Sequence, residues 1–249
     1  MKRVMLAIFL VLSSALFGQN AIGQSAIPKG TILPLQLNST LKSDKARPGH
    51  IVSARIMQDV PLPNGSKIKS GSKVLGHAVS VQPAKNGSGG KIILRFDTLV
   101  AGNRRIPITT NLRALANMME VDDAQVPQMG PDRGTTEFDW TTVQIGGEAN
   151  FHGSVITSGF RTVGKSVPPT GALVQISSTL GAECRGSLDS EQRLQATWVF
   201  ASNACGLYGY PNLQLAHAGR TDPVGEIVLT SDKGNVNLQA GSGMLLRVD

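Results

Sequence analysis

Aromatic side chains are scarce in this sequence: two Trp, two Tyr and seven Phe make up 4% of 249 residues. Single-stranded nucleic acid is usually bound on aromatic platforms, and outer-membrane barrels carry aromatic girdles at both interfaces. Neither signature is present. Cysteine is scarcer, with only Cys184 and Cys205. There is no Cys-x-x-Cys, and none of His50, His77, His152 and His217 stands two to four residues from another His. The ligand spacing of a zinc site is therefore missing, and no metal or cofactor is expected. The nucleophile elbow Gly-x-Ser-x-Gly and the phosphate loop Gly-x-x-x-x-Gly-Lys-Ser/Thr are absent as well. Gly87-Ser88-Gly89-Gly90-Lys91 shares only the composition of such a loop and suits a flexible hairpin tip.

Charge is also thin, at 16% of residues, with a net +7. The Lys and Arg residues are scattered, and the densest pair is Arg104-Arg105. A nucleic-acid partner would be expected to face a basic stripe, so none is expected here.

One long apolar run exists. Lys2 and Arg3 precede Val4 to Phe17, which is interrupted only by Ser13 and Ser14, and the small polar stretch Gly18 to Gly23 follows. A charged start, an apolar middle and an Ala21-Ile22-Gly23 exit have the form of a secretory signal peptide over residues 1–23. The run of 14 positions falls short of the roughly 20 that a spanning helix needs. An uncleaved anchor is the competing reading. No later segment is long and apolar enough to span as a helix. Removing residues 1–23 leaves 226 residues and lowers the net charge to +5 with the loss of Lys2 and Arg3. In an exported chain, an even cysteine count reads as a disulfide between Cys184 and Cys205. Two buried free thiols are the alternative.

Val, Ile, Leu, Thr, Ser and Gly dominate the remainder, in short alternating stretches. Strands are predicted over Ile32–Leu37, Ile51–Ile56, Lys73–Val81, Lys91–Val100 and Arg105–Thr110. Later ones are predicted over Leu173–Ser178, Leu194–Ala201, Leu213–Ala216, Glu226–Thr230 and Met244–Val248. Turn signals separate them, among them Pro48-Gly49, Asn64-Gly65 and Lys233-Gly234-Asn235. The expected fold is all-β: a small barrel or sandwich with little helix. The pattern apolar-x-x-Gly-Ser/Thr-x-apolar recurs at Ile27–Leu33, Leu62–Ile68, Ile68–Val74 and Leu238–Met244. It reads as a strand end, a glycine turn and a strand start.

Three parts follow the leader. Residues 24–110 form an N-terminal β module. Residues 111–165 read as a loop-rich, Gly-rich excursion, in which Asn111 to Val121 is either a short helix or a continued strand. Residues 166–249 form a C-terminal β segment with the disulfide, able to complete the same barrel. The rare aromatics Tyr208 and Tyr210, close to Cys205, form a candidate recognition surface together with Trp140. Covering the core at a turn is the plainer role for the tyrosines. The acidic residues Glu120, Asp122, Asp123, Glu137, Asp139 and Glu148 are carboxylates of the excursion, two of which folding could bring together for general acid–base chemistry.

The first third also resembles a known family. Ile27-Pro28-Lys29-Gly30-Thr31-Ile32-Leu33 leads to Leu41-Lys42-Ser43-Asp44 and Pro48-Gly49-His50-Ile51-Val52-Ser53-Ala54. Leu62-Pro63-Asn64-Gly65-Ser66 and Ile68-Lys69-Ser70-Gly71-Ser72-Lys73-Val74-Leu75-Gly76 come next. This succession is similar to the TrbI-like β-barrel domain of bacterial conjugation and type IV secretion channels, over about residues 27–108. The resemblance implies a small barrel and a bacterial envelope location. The family's inner-membrane anchor, proline-rich linker and membrane-crossing amphipathic hairpin have no counterpart here. The expectation is thus an exported, non-enzymatic structural or interaction protein of the periplasm or outer envelope, with envelope proteins or its own copies as partners. An accessory role in a secretion or conjugation apparatus and a cell-wall polymer hydrolase or binder are the alternatives.

Overall fold

Alternating apolar residues set the main sheet. In β1 (Ile32–Leu37), Leu33, Leu35 and Leu37 enter one core while Ile32 enters another. The computed structural model describes residues 27–129, 133–134, 136, 140–177, 184, 193–216 and 223–249. The expected signal peptide lies outside them, as do Glu137, Asp139 and His217.

Eight longer strands follow the same logic: β3 (Ile51–Ile56), β6 (Lys73–Gln82), β7 (Lys91–Ala101), β8 (Arg104–Pro107), β9 (Thr110–Ala116), β17 (Leu213–Ala216), β18 (Ile227–Ser231) and β20 (Gly243–Val248). With β1 and the short β16 (Gly206–Tyr208) they make one ten-stranded sheet, in the order β16-β9-β20-β1-β3-β6-β7-β18-β17, with β8 on β7. Its two end strands are consecutive in the chain and joined only by residues 209–212, so the sheet curls into a nearly closed barrel. Two-stranded ribbons add β2 (Leu41–Lys42) to β19 (Asn237–Leu238), and β4 (Val60–Pro61) to β5 (Lys67–Ile68). Residues before 110 and after 205 therefore share one sheet and one interior, filled by Leu33, Phe96, Leu99, Met244 and their neighbours.

The repeated glycine pattern is where the chain turns into strands. In all four copies the glycine is left-handed, with φ of 85° at Gly30, 78° at Gly65, 83° at Gly71 and 89° at Gly241. Three copies make the same bonds. Thr31, Ser72 and Ser242 each donate N–H to the carbonyl three residues back, on Pro28, Lys69 and Gln239. This is a turn with positive φ at its third residue, the geometry that favours glycine. The glycine N–H then crosses to a neighbouring strand: Gly30 to Val248, Gly71 to Ile56, Gly241 to Leu37. Each receiving residue donates its own N–H back, to Thr31, Ser72 and Ser242 in turn.

The region from 111 to 165 is not the loop-rich excursion that its glycines suggest. Residues 110–116 continue the barrel as β9. Asn117 then caps the short helix α1 (Met118–Asp123) through the Glu120 N–H at 2.9 Å. Strand and helix thus share the stretch for which they were rivals. Beyond it lies a second, six-stranded antiparallel sheet: β10 (Thr141–Val143), β11 (Ala149–Phe151), β12 (Val155–Ser158), β13 (Arg161–Val167), β14 (Gly171–Gln175) and β15 (Leu194–Ala196). Gly147, Gly153 and Gly159 supply left-handed turns, whereas Gly146 and Gly164 serve close packing. A Cβ on Gly164 would lie 2.2 Å from the Leu173 carbonyl.

The strand predicted over Leu194–Ala201 ends at Ala196, because Trp198 turns left-handed at φ 53°. Residues 197–204, α1 and Ile145 cover the outer side of β1, β20 and β9. They form a second core with Ile32, Ala114, Ala116 and Leu245.

Two glycine substitutions separate strain from collision. Gly71→Ala meets no atom within 4 Å and costs only its left-handed backbone, about 1–2 kcal/mol. Gly76→Ala puts its Cβ 2.1 Å from the Arg95 carbonyl of the paired strand and is expected to cost about 4 kcal/mol or more. Urea unfolding of both variants gives the order.

Candidate interaction surface

The barrel and the second sheet meet along a polar seam built from side-chain amides. Gln58 follows β3 and is buried. Its Oε1 accepts the N–H groups of Ala172 and Trp198, each at 2.9 Å, and its Nε2 donates to the Ala172 carbonyl at 2.8 Å. Gln144, after β10, donates from Nε2 to the carbonyls of Trp198 and Phe200 at 3.3 and 3.2 Å. Gln195 on β15 accepts the Ile32 N–H at 3.2 Å. These amides supply partners that buried backbone would otherwise lack.

Charge is buried at the same seam. The Arg113 side chain leaves β9 toward the second layer and donates from Nη2 to the carbonyls of Ser177 (2.8 Å) and Ser202 (3.3 Å). Its Nε and Nη1 have no partner among the described residues. Burial pushes the guanidinium down to about 10, still charged at neutral pH. Glu148, 2% exposed, accepts the Ser202 N–H at 2.7 Å and the Ser202 hydroxyl in a short bond of 2.5 Å. Ser202 thus lies between a cation and an anion. Cys184 and Cys205 are joined in a disulfide whose Cα atoms are 6.0 Å apart, and the Cys184 sulfur lies 3.5 Å from the Arg113 carbonyl. The cross-link sits directly over the buried arginine.

The candidate aromatics divide. Tyr208 accepts the Cys205 N–H on its hydroxyl at 3.1 Å and packs on the second core. Tyr210 packs on the barrel core, its hydroxyl 2.8 Å from that of Ser242. Burial raises its phenol above the usual range. Both rings therefore cover core, one on each side of the sheet. Trp140 differs: it is 39% exposed at the start of β10, against the ring of His152 at 5.7 Å. Other exposed apolar side chains on the second sheet are Val143 on β10, Leu194 on β15 and the fully exposed Phe160 between β12 and β13; elsewhere, Ile51 on β3 and Met119 on α1 are exposed as well. The sequence reading did not single out Phe160. Its signal was the Gly159-Phe160 pair between two short alternating stretches.

The remaining polar candidates are dispersed. Glu120, Asp122 and Asp123 lie on α1, the last two exposed, while Glu148 is enclosed by Ser202. His77 on β6 meets Asp97 on β7 at 3.0 Å on the outer barrel wall. Burial lowers His152 below the usual histidine value. Among the described residues no three His, Cys, Asp or Glu side chains are placed to hold a metal ion, and no helix is long and apolar enough to cross a membrane.

A crevice of about 330 Å³ opens between Met57, Asp59 and Ser70 on the barrel side and Val167, Pro168 and Thr170 on the sheet side. Asp59 is held below the usual carboxylate range by the hydrogen bond from Lys67, then by the Ser70 N–H at 2.8 Å. Its oxygens are thus already engaged within the barrel. No protein-family model matches the chain, and no curated protein matches it.

Gln58→Ala removes the partners of two buried N–H groups and is expected to cost about 2–5 kcal/mol, read as a lower urea midpoint. Reduction of the disulfide, or Cys184→Ala with Cys205→Ala, opens a loop with a sequence separation of 21 and is expected to cost about 3 kcal/mol. Thermal unfolding with and without reductant measures it.

Proposed function

We propose that the protein is an exported, non-enzymatic interaction protein of the bacterial cell envelope, with the barrel as a rigid frame and the second sheet as the contact surface. One observation carries this reading. The buried amides and charges are committed to joining the two layers, while Trp140, Val143, Phe160 and Leu194 project from the second sheet. Function in such folds is commonly displayed on connections held by a stiff scaffold. The disulfide fits an oxidising compartment, and the leader-like residues 1–23 fit export.

A second reading is an accessory of a conjugation or secretion apparatus. It is favoured by the barrel formed from the TrbI-like residues 27–108 together with β20, which pairs with β1 over Ile32 to Gln36. Copies would then assemble through the barrel, and a ring-sized oligomer is its mark.

Fractionation of the host tests the main reading, combined with a photo-crosslinking residue at position 140 or at position 82, on the outer part of β6. Recovery outside the cytoplasm with cysteines oxidised, and adducts at 140 but not at 82, is expected. Recovery in the cytoplasm with free thiols would remove the proposal. Adducts at 82 in a large complex would favour the apparatus.

A further inference from the structure

From the β12–β13 hairpin we infer that the protein docks on an anionic lipid surface, with Phe160 entering the boundary between headgroups and acyl chains. This rests on the envelope reading and names its partner.

Ser158 and Arg161 are paired, so Gly159 and Phe160 alone make the turn. Gly159 has φ 58°, which a two-residue hairpin with glycine first requires. The second position of such a turn is ordinarily Asn, Ser or Asp. Turn geometry therefore gives no reason for a phenyl ring there. The ring is fully exposed, and a turn this short cannot fold it back onto its own sheet.

Among the described residues of β11 to β14 the charge has one sign. Arg161 and Lys165 on β13 are both exposed, and no Asp or Glu occurs from Ala149 to Ala182. An apolar tip with Arg161 beside it and Lys165 farther along β13, opposite Val155, complements a surface with negative headgroups above hydrocarbon. An acidic soluble polymer would satisfy Arg161 and Lys165 but offers no apolar compartment to Phe160. A zwitterionic bilayer offers the compartment without the charge.

The test uses the full chain with Phe160→Trp, so that fluorescence reports the tip itself whatever the apolar run Val4 to Phe17 does. Vesicles of phosphatidylglycerol with phosphatidylcholine are compared with phosphatidylcholine alone, each with brominated acyl chains. A blue shift and quenching beyond those of the wild-type tryptophans, confined to the anionic vesicles, are expected. Arg161→Gln with Lys165→Gln should weaken this partition about tenfold, and raised salt should do the same. Equal quenching in both vesicles, or none in either, overturns the inference. In the latter case, adducts to a protein from a crosslinker at position 160 would assign the ring to a protein pocket. Flotation of wild type against Phe160→Ser with the same vesicles gives an independent reading, in which equal recovery counts against the proposal. Because the vesicle result does not depend on compartment, its failure is distinct from a failure of the fractionation.

Discussion

The arrangement depends on one buried peptide unit, that of Trp198. Its side chain is 1% exposed and its backbone stands at φ 53°, a conformation that bulky residues rarely adopt. It is held from two directions. Gln58, from the barrel, accepts its N–H, and Gln144, from the second sheet, donates to its carbonyl. The left-handed residue ends β15 and redirects residues 197–204 across the outside of β1, β20 and β9. Strain of this kind persists only where the surroundings over-determine it, and here two glutamines and a packed indole do so. Without that crossing, Ile32, Ala114, Ala116 and Leu245 would face water. The central barrel strands read as apolar on both faces because they are covered on both.

The polar seam follows from the same crossing. Bringing Ser177 and residues 197–204 onto a sheet that already uses its own backbone groups leaves carbonyls pointing inward. Arg113 meets two of them, on Ser177 and Ser202, and Glu148 meets the N–H and hydroxyl of Ser202. Charge here satisfies backbone, with both side chains bonded to Ser202. The lowered Arg113 value shows that burial dominates its surroundings. The disulfide over Arg113 restrains the same segment covalently.

Strands whose alternation was unambiguous were legible: Ile32–Leu37, Ile51–Ile56 and Leu213–Ala216 occupy those residues in the fold. The glycine repeat was legible too, because a left-handed turn leaves a glycine at a fixed place. The second sheet was legible only in part, at β14 and β15, which the predicted Leu173–Ser178 and Leu194–Ala201 overlap. β10 and β11 are three residues each, too short to show a period, and β13 contains Gly164, which suggests looseness until the Leu173 carbonyl beside it is seen. Cys184 and Cys205 could be paired by count and context. Gln58 and Gln144 could not be found, since a glutamine that caps a distant backbone leaves no local pattern. Tyr208 and Tyr210 were rightly close to the disulfide, but their hydroxyls have internal partners at Cys205 and Ser242.

These commitments bear on where recognition can occur. A side chain bound at both ends of its polar reach is a poor ligand group, because engaging a partner would first require breaking the seam. That applies to Glu148, Tyr208 and Tyr210, and the Arg113 guanidinium is buried at the seam. The barrel's outer wall offers His77 and Arg95, but each is matched by an acid, Asp97 or Glu226. The β12–β13 hairpin is built otherwise. Its turn needs only Gly159, its cations Arg161 and Lys165 face no carboxylate from their own sheet, and its ring has no neighbour to cover it. A rigid two-layer frame lets such a tip stand out without collapsing, since the hairpin's base is fixed by Ile156 and Val174 in a small core of its own. Rigidity in the frame thus spares the contact the entropic cost of ordering the hairpin on binding.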